Sequence, residues 1–154
     1  MDTTGTSGVF AREFDEIGRA VEVGFAGGRV ISVSFPAEAP ADATADHELL
    51  DRIGTYLGGE RDAFDDVATG LTVPTDRRGV LEALDTIPYG EEVSVSRLTR
   101  LAALYADDPE DLELVTDALR ENPIPVFFPD HRVQGGPYAT PGDVRETLRR
   151  VEGL

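Results

Sequence analysis

The chain has 154 residues, 40 % of them hydrophobic, and its 30 acidic side chains outnumber 14 basic ones, all arginine, for a formal net charge of −16. That length suits one domain or two small ones sharing a core, and the apolar content excludes a disordered chain. With no cysteine, disulfides, thiolate nucleophiles and zinc–thiolate sites are excluded.

An acidic surface without lysine is expected of a protein kept soluble in concentrated salt, and in dilute buffer it would repel nucleic acid. Residues 1–8 are small and polar, with no basic start followed by an apolar run, so no signal peptide is expected. No stretch approaches the ~20 apolar residues of a membrane span. The expectation is a cytoplasmic protein, monomeric, without membrane contact.

In chain order, "AVEVGFAGGRVISVSF" alternates apolar and polar residues on both sides of Gly27-Gly28, which predicts a hairpin. The Pro-, Ala- and Asp-rich stretch 36–46 reads as a loop. Asp46 is expected to cap a helix running to about Leu57, and Phe64 to Val73 reads as a further strand. From Asp76 the spacing turns helical, with Val80, Leu81, Leu84 and Ile87 on one face. Ser94 predicts an N-cap, and Val95, Leu98, Leu101, Ala102 and Tyr105 an apolar stripe behind it. Asp108-Pro109 opens another helix, with Leu112, Val115 and Leu119 as its buried stripe and Asn122-Pro123 as its stop. Two such helices joined by a short turn predict a helix-turn-helix. An apolar run from Ile124 to Phe128, a polar loop and a last helix from about Pro141 to Val151 complete the chain.

The strings "IPYGEEVS", "ENPIPVFFPDHRV" and "GGPY", in that order, resemble the C-terminal domain of the methylated-DNA–protein-cysteine (O6-alkylguanine) alkyltransferase family. The resemblance covers roughly residues 74–154 and is weaker before that. It implies an α/β N-terminal subdomain over 1–72, with an antiparallel sheet of ribonuclease-H-like layout. Residues 73–154 would then form an α-helical, winged-helix-like DNA-binding domain. The family flips an alkylated guanine out of the duplex and transfers its alkyl group to a cysteine thiolate activated through His, water and Glu. The family's active-site strand reads Pro-Cys-His-Arg; here Asp130 stands at the cysteine position, followed by His131 and Arg132. The resemblance assigns Asn122 to the Asn before that strand, Tyr138 to the tyrosine of the pocket loop and Glu152 to the glutamate of the His network. The implied pocket is Asn122, Asp130, His131, Arg132 and Tyr138, its frame retained and its nucleophile missing.

The DNA-facing positions implied are Val95, Glu113, Thr116 and Arg120. Val95 replaces a tyrosine that helps rotate the target nucleotide, and Glu113 replaces an arginine inserted into the base stack. Residues 91–121 carry three arginines against nine acids, whereas a recognition helix ordinarily neutralises phosphates. Asp130-His131 reads either as a functional dyad or as a structural pair left at a dead site. A metal shared by Asp130, His131 and Glu152 would need a distorted strand, because adjacent strand residues face opposite ways; no metal and no cofactor are expected. His47, Arg77-Arg78 and Arg149-Arg150 read as solvated surface.

Three functions remain open. The first is a non-catalytic, alkyltransferase-like protein that binds alkylated duplex DNA at high salt, with other repair proteins as partners. The second is a degenerate member without DNA binding that acts as a structural or interaction protein. The third is an enzyme with Asp130 as nucleophile. The persistence of the Asn122, His131, Arg132, Tyr138 and Glu152 frame favours the first.

Overall fold

The computed structural model describes residues 3–154. Strands β1 (Gly8–Phe14), β2 (Arg19–Ala26) and β3 (Arg29–Ser34) form an antiparallel sheet in the order β1-β2-β3. The expected hairpin is β2–β3, and both turn glycines have positive φ (58° and 80°), the conformation a two-residue hairpin turn demands. β1 extends the sheet beyond that expectation, and its outer edge meets Thr44.

Helix α1 (Glu48–Leu57) lies close to β1 and buries Leu49, Leu50, Ile53, Tyr56 and Leu57. Its cap is His47 rather than Asp46: His47 Nδ1 accepts the Leu49 N–H at 2.9 Å. The His47 ring also stacks on Phe25 and meets the edge of Phe10, so it is not the solvated residue that its polar neighbours suggested.

Residues 64–73 are not a strand; they meet the sheet through a bridge from Thr69 to Val30 and a hydrogen bond from Arg29 to Thr69 O. Phe64 sits at φ 54°, which extended structure does not admit, and Asp62 Oδ1 accepts its N–H. Arg52 holds the segment by bonding both Asp62 and Asp66.

Helices α2 (Thr75–Asp85), α3 (Val95–Leu101) and α4 (Pro109–Arg120) pack on one another. Ser94 and Asp108 cap α3 and α4 as expected, each side chain accepting a first-turn N–H. The α3 stripe ends early. The Ala103 N–H bonds Arg100 O and the Leu104 N–H bonds Thr99 O, both at 3.0 Å, with Ala103 left-handed at φ 61°. That Schellman closure takes Tyr105 out of helical phase, and it is 72 % exposed. On α4 the buried residues are Val115, Ala118 and Leu119, while Leu112 is only half-buried.

A short parallel pair, β4 (Val93–Ser94) with β5 (Val133–Gln134), follows, and α5 (Gly142–Val151) closes the chain. One apolar core runs from Phe14 to Leu148. Ile53, Tyr56 and Leu57 of α1 meet Val144 and Leu148 of α5 around a single point in it. None of the described helices is long and apolar enough to cross a membrane.

Candidate functional site

The apolar run after Asn122 is a compact turn, and the segment 129–132, a strand by the family motif, is not one. Prolines at 123, 125 and 129 remove the N–H groups a central strand would need. Asn122 braces the turn from inside: its Oδ1 accepts the Ile124 N–H at 3.0 Å and its Nδ2 donates to Phe128 O at 2.8 Å. Those bonds commit both ends of its amide to the backbone. The chain then winds through a single 3-10 turn, Asp130–Arg132, whose three side chains are all buried.

Glu152, at the end of α5, is the hub of a buried polar network. His131 Nε2 lies 2.6 Å from its Oε2. Because a carboxylate only accepts, His131 Nε2 is the donor, and Nδ1 has no partner among the described residues. Arg132 grips both Glu152 oxygens, Nε to Oε1 at 2.7 Å and Nη2 to Oε2 at 3.1 Å, while its Nη1 donates to Ile87 O at 2.7 Å. The Gly90 N–H donates to Oε1 at 3.0 Å, and the Tyr56 hydroxyl donates to Oε2 across 96 residues of sequence. Burial alone would raise the Glu152 pKa, but the bonds from His131 and Arg132 outweigh it and hold the carboxyl well below the usual range. Removing one partner from such a buried pair costs about 3–5 kcal/mol, because the other charge is left uncompensated.

Asp130 does not pair with His131. Its Oδ2 accepts the N–H groups of Ala139 (2.9 Å) and Thr140 (3.2 Å), and its Oδ1 accepts the Thr140 hydroxyl. Burial pushes its carboxyl pKa up, against the pull of Thr140, His131 and the two backbone donors. A reactive Asp130–His131 dyad is therefore absent: each side chain faces a different partner.

Tyr138 sits in the loop between β5 and α5. Its hydroxyl accepts from the Gly136 N–H at 2.8 Å and from Arg145 Nη2 at 2.7 Å, and the Arg145 guanidinium lies 3.9 Å from the ring centroid. The ring folds back so closely over Gly136 that a Cβ there would meet it at 2.4 Å, which reserves the position for glycine. A cleft of about 280 Å³ opens beside Arg132, lined by Arg61, Asp65, Asp85, Tyr89 and Phe127 among others, but neither Asp130 nor Tyr138 borders it.

The residues assigned to DNA contact lie on α3 and α4. Glu113 is exposed, Val95 and Thr116 are half-buried, and Arg120 is exposed but bonded to Asp117 at 2.8 Å. The basic pairs are engaged internally: Arg77 with Glu121, Arg78 with Leu71 O, Arg149 with Glu92 and His131 O, Arg150 with Thr147. Among the described residues no three His, Asp or Glu side chains are placed to hold a metal.

The family model described as the DNA-binding domain of 6-O-methylguanine DNA methyltransferase matches residues 76–151. This chain belongs to the methylated-DNA–protein-cysteine alkyltransferase family. The constitutive methylated-DNA–protein-cysteine methyltransferase of Bacillus subtilis is 33 % identical over 98 residues, which is 64 % of this chain and 54 % of that protein. The chain thus spans about half the length of that relative. The Archaeoglobus fulgidus methyltransferase is 29 % identical over 71 % of this chain and 69 % of its own. A structure of Mycobacterium tuberculosis OGT in complex with DNA superposes with a TM-score of 0.73 at 24 % identity, over 94 % of this chain and 91 % of that one. At that identity the superposition establishes the fold.

Two members of the Glu152 network, Tyr56 and Gly90, were not singled out from the sequence, nor were Ala139 and Thr140, which hold Asp130. Gly90 lies in the "IPYGEEVS" string, which offered a signal. Tyr56 offered none beyond its place on the apolar face of α1.

Proposed function

We propose that this chain is a non-catalytic member of its family that binds duplex DNA in DNA repair, with O6-alkylguanine as the lesion it reads. Asp130 carries the reading. It stands where the resemblance puts the nucleophile, in a chain without cysteine, and both its oxygens are held by Ala139 and Thr140. A carboxylate so engaged and fully buried is a poor attacking group, which argues against the reading with Asp130 as nucleophile. Support for DNA binding comes from the matched domain type and from the capped α3–α4 pair.

One observation favours the second reading, an interaction protein without DNA binding. The outward face of α4 presents exposed Glu110 and Glu113, and its Arg120 is spent on Asp117. Such a face needs cations between it and phosphate.

The test is fluorescence anisotropy with duplexes bearing or lacking O6-alkylguanine, in dilute buffer and in about 2 M KCl, where electrostatic terms are screened. Binding is expected at high salt, without the steep loss that phosphate-neutralising proteins suffer. The intact mass of the protein should stay unchanged. No binding at either salt would leave the interaction reading; an alkyl-sized mass gain would overturn the non-catalytic part.

A further inference from the structure

The donors of Ala139 and Thr140 converge on one carboxylate from two directions. Two successive backbone N–H groups reach Oδ2, and a hydroxyl reaches Oδ1. The carboxylate they hold is entirely buried and belongs to a different segment of the chain. Among the described residues, the hydrogen bonds that leave the 135–140 loop go only to Asp130 and, through the Tyr138 hydroxyl, to Arg145. The Arg145 contact ties the loop to the neighbouring α5, so Asp130 alone fastens it to the buried turn beside His131.

We infer that residues 139–140 form a binding site for a carboxylate, that the chain fills this site with its own Asp130, and that the filled site latches the Tyr138 loop shut. Donors aimed at a buried oxygen cannot be left empty without cost, since each unpaired buried N–H or O–H loses its bond to water and gains none. The loop therefore closes because Asp130 reaches it. With the side chain gone, the same donors would accept a small free carboxylate of the same chemistry. The consequence for DNA rests on the proposed function: in a lesion-reading protein the latch would have to open before Tyr138 could meet a base. The latch itself needs no DNA and stands or falls without it.

The test is amide hydrogen exchange on the full-length protein, comparing wild type with Asp130→Ala and Asp130→Asn. Loss of the latch should speed exchange of the Ala139 and Thr140 amides about tenfold or more in Asp130→Ala, while amides of the β1–β2–β3 sheet keep their protection. Asp130→Asn, which retains an acceptor oxygen, should stay close to wild type. Sodium formate at about 0.1 M should restore protection to Asp130→Ala by mass action and leave wild type unchanged. Should Asp130→Ala fail to protect even the sheet, Thr140→Val, which deletes only the hydroxyl donor, takes its place; it should speed exchange at 139–140 alone. The inference is overturned if these amides exchange equally fast in wild type and the folded variant, or if formate gives Asp130→Ala no protection. Neither result bears on whether the protein binds DNA, and a failure to bind DNA would leave this one untouched.

Discussion

Asp130 and Glu152 are both buried carboxylates in adjoining networks, yet their pKa values move in opposite directions because their donors differ. Glu152 is met by an arginine fork and a histidine, so its charged form wins against burial. Asp130 is met by neutral donors only, and burial wins. The two therefore pull stability in opposite senses with pH. Glu152 adds stability that is present above its unfolded value near 4.5 and is lost as pH falls through its depressed folded pKa. An acid with a raised folded pKa binds its proton more readily when folded. Charged Asp130 thus costs stability above that pKa, and the cost disappears as pH falls toward the ordinary value of 3.8. Comparing wild type with Asp130→Asn isolates this effect, since Glu152 is common to both. Urea unfolding at several values between about pH 4 and pH 8 should show wild type losing ground to Asp130→Asn as pH rises, then a constant difference. A difference independent of pH would mean that Asp130 titrates no differently in the folded protein.

The helices were legible in the sequence where local chemistry marks their ends. Ser94 placed the start of α3, and Asp108-Pro109 and Asn122-Pro123 both ends of α4, closely, because a cap or a proline acts within one turn. The turn over 124–128 was not legible: its residues are apolar enough for a strand, and only the proline spacing argues against one. Tyr56 reaching Glu152 was also hidden, since no local pattern specifies a partner 96 residues away. The pairing of His131 with Glu152 was legible from the family motif, while the turn of Asp130 to Thr140 was not. The α3–α4 face carries the prediction at this scale. Replacing Glu113 by Arg changes the local charge by two units on an exposed position, and Val95→Tyr adds an aromatic at the start of α3. The double variant should bind duplex more tightly than wild type by anisotropy, by about tenfold at low salt, and its affinity should fall more steeply with salt because a phosphate-directed cation has been added. If wild type already binds tightly and the double variant matches it, α4 is not the element that meets DNA.

At the scale of the whole molecule, the arginines are mostly spent within the protein. Arg12, Arg19, Arg52, Arg77, Arg120, Arg132 and Arg149 sit in ion pairs, Arg29 and Arg78 bond backbone carbonyls, and Arg145 is bonded to Tyr138. Those ion pairs engage Asp51, Asp62, Asp66, Glu92, Asp117, Glu121, Asp143 and Glu152, in a chain of 30 acids. Two effects of added salt then compete. Screening weakens the exposed ion pairs, each worth about 0–1 kcal/mol, and it also weakens the self-repulsion of a net charge of −16. Repulsion should dominate, because it sums over every unpaired acid, whereas partly exposed pairs such as Arg12–Asp51 contribute little individually. The melting temperature should therefore rise with KCl, most steeply between about 0.1 M and 1 M, where the Debye length shrinks from about 10 Å to about 3 Å. Sucrose provides the control, since it favours compact states by exclusion without screening charge. If sucrose and KCl at matched osmolality raise the melting temperature equally, screening is not the cause. If KCl lowers it, the ion pairs outweigh the repulsion and the acidic surface is not an adaptation to salt.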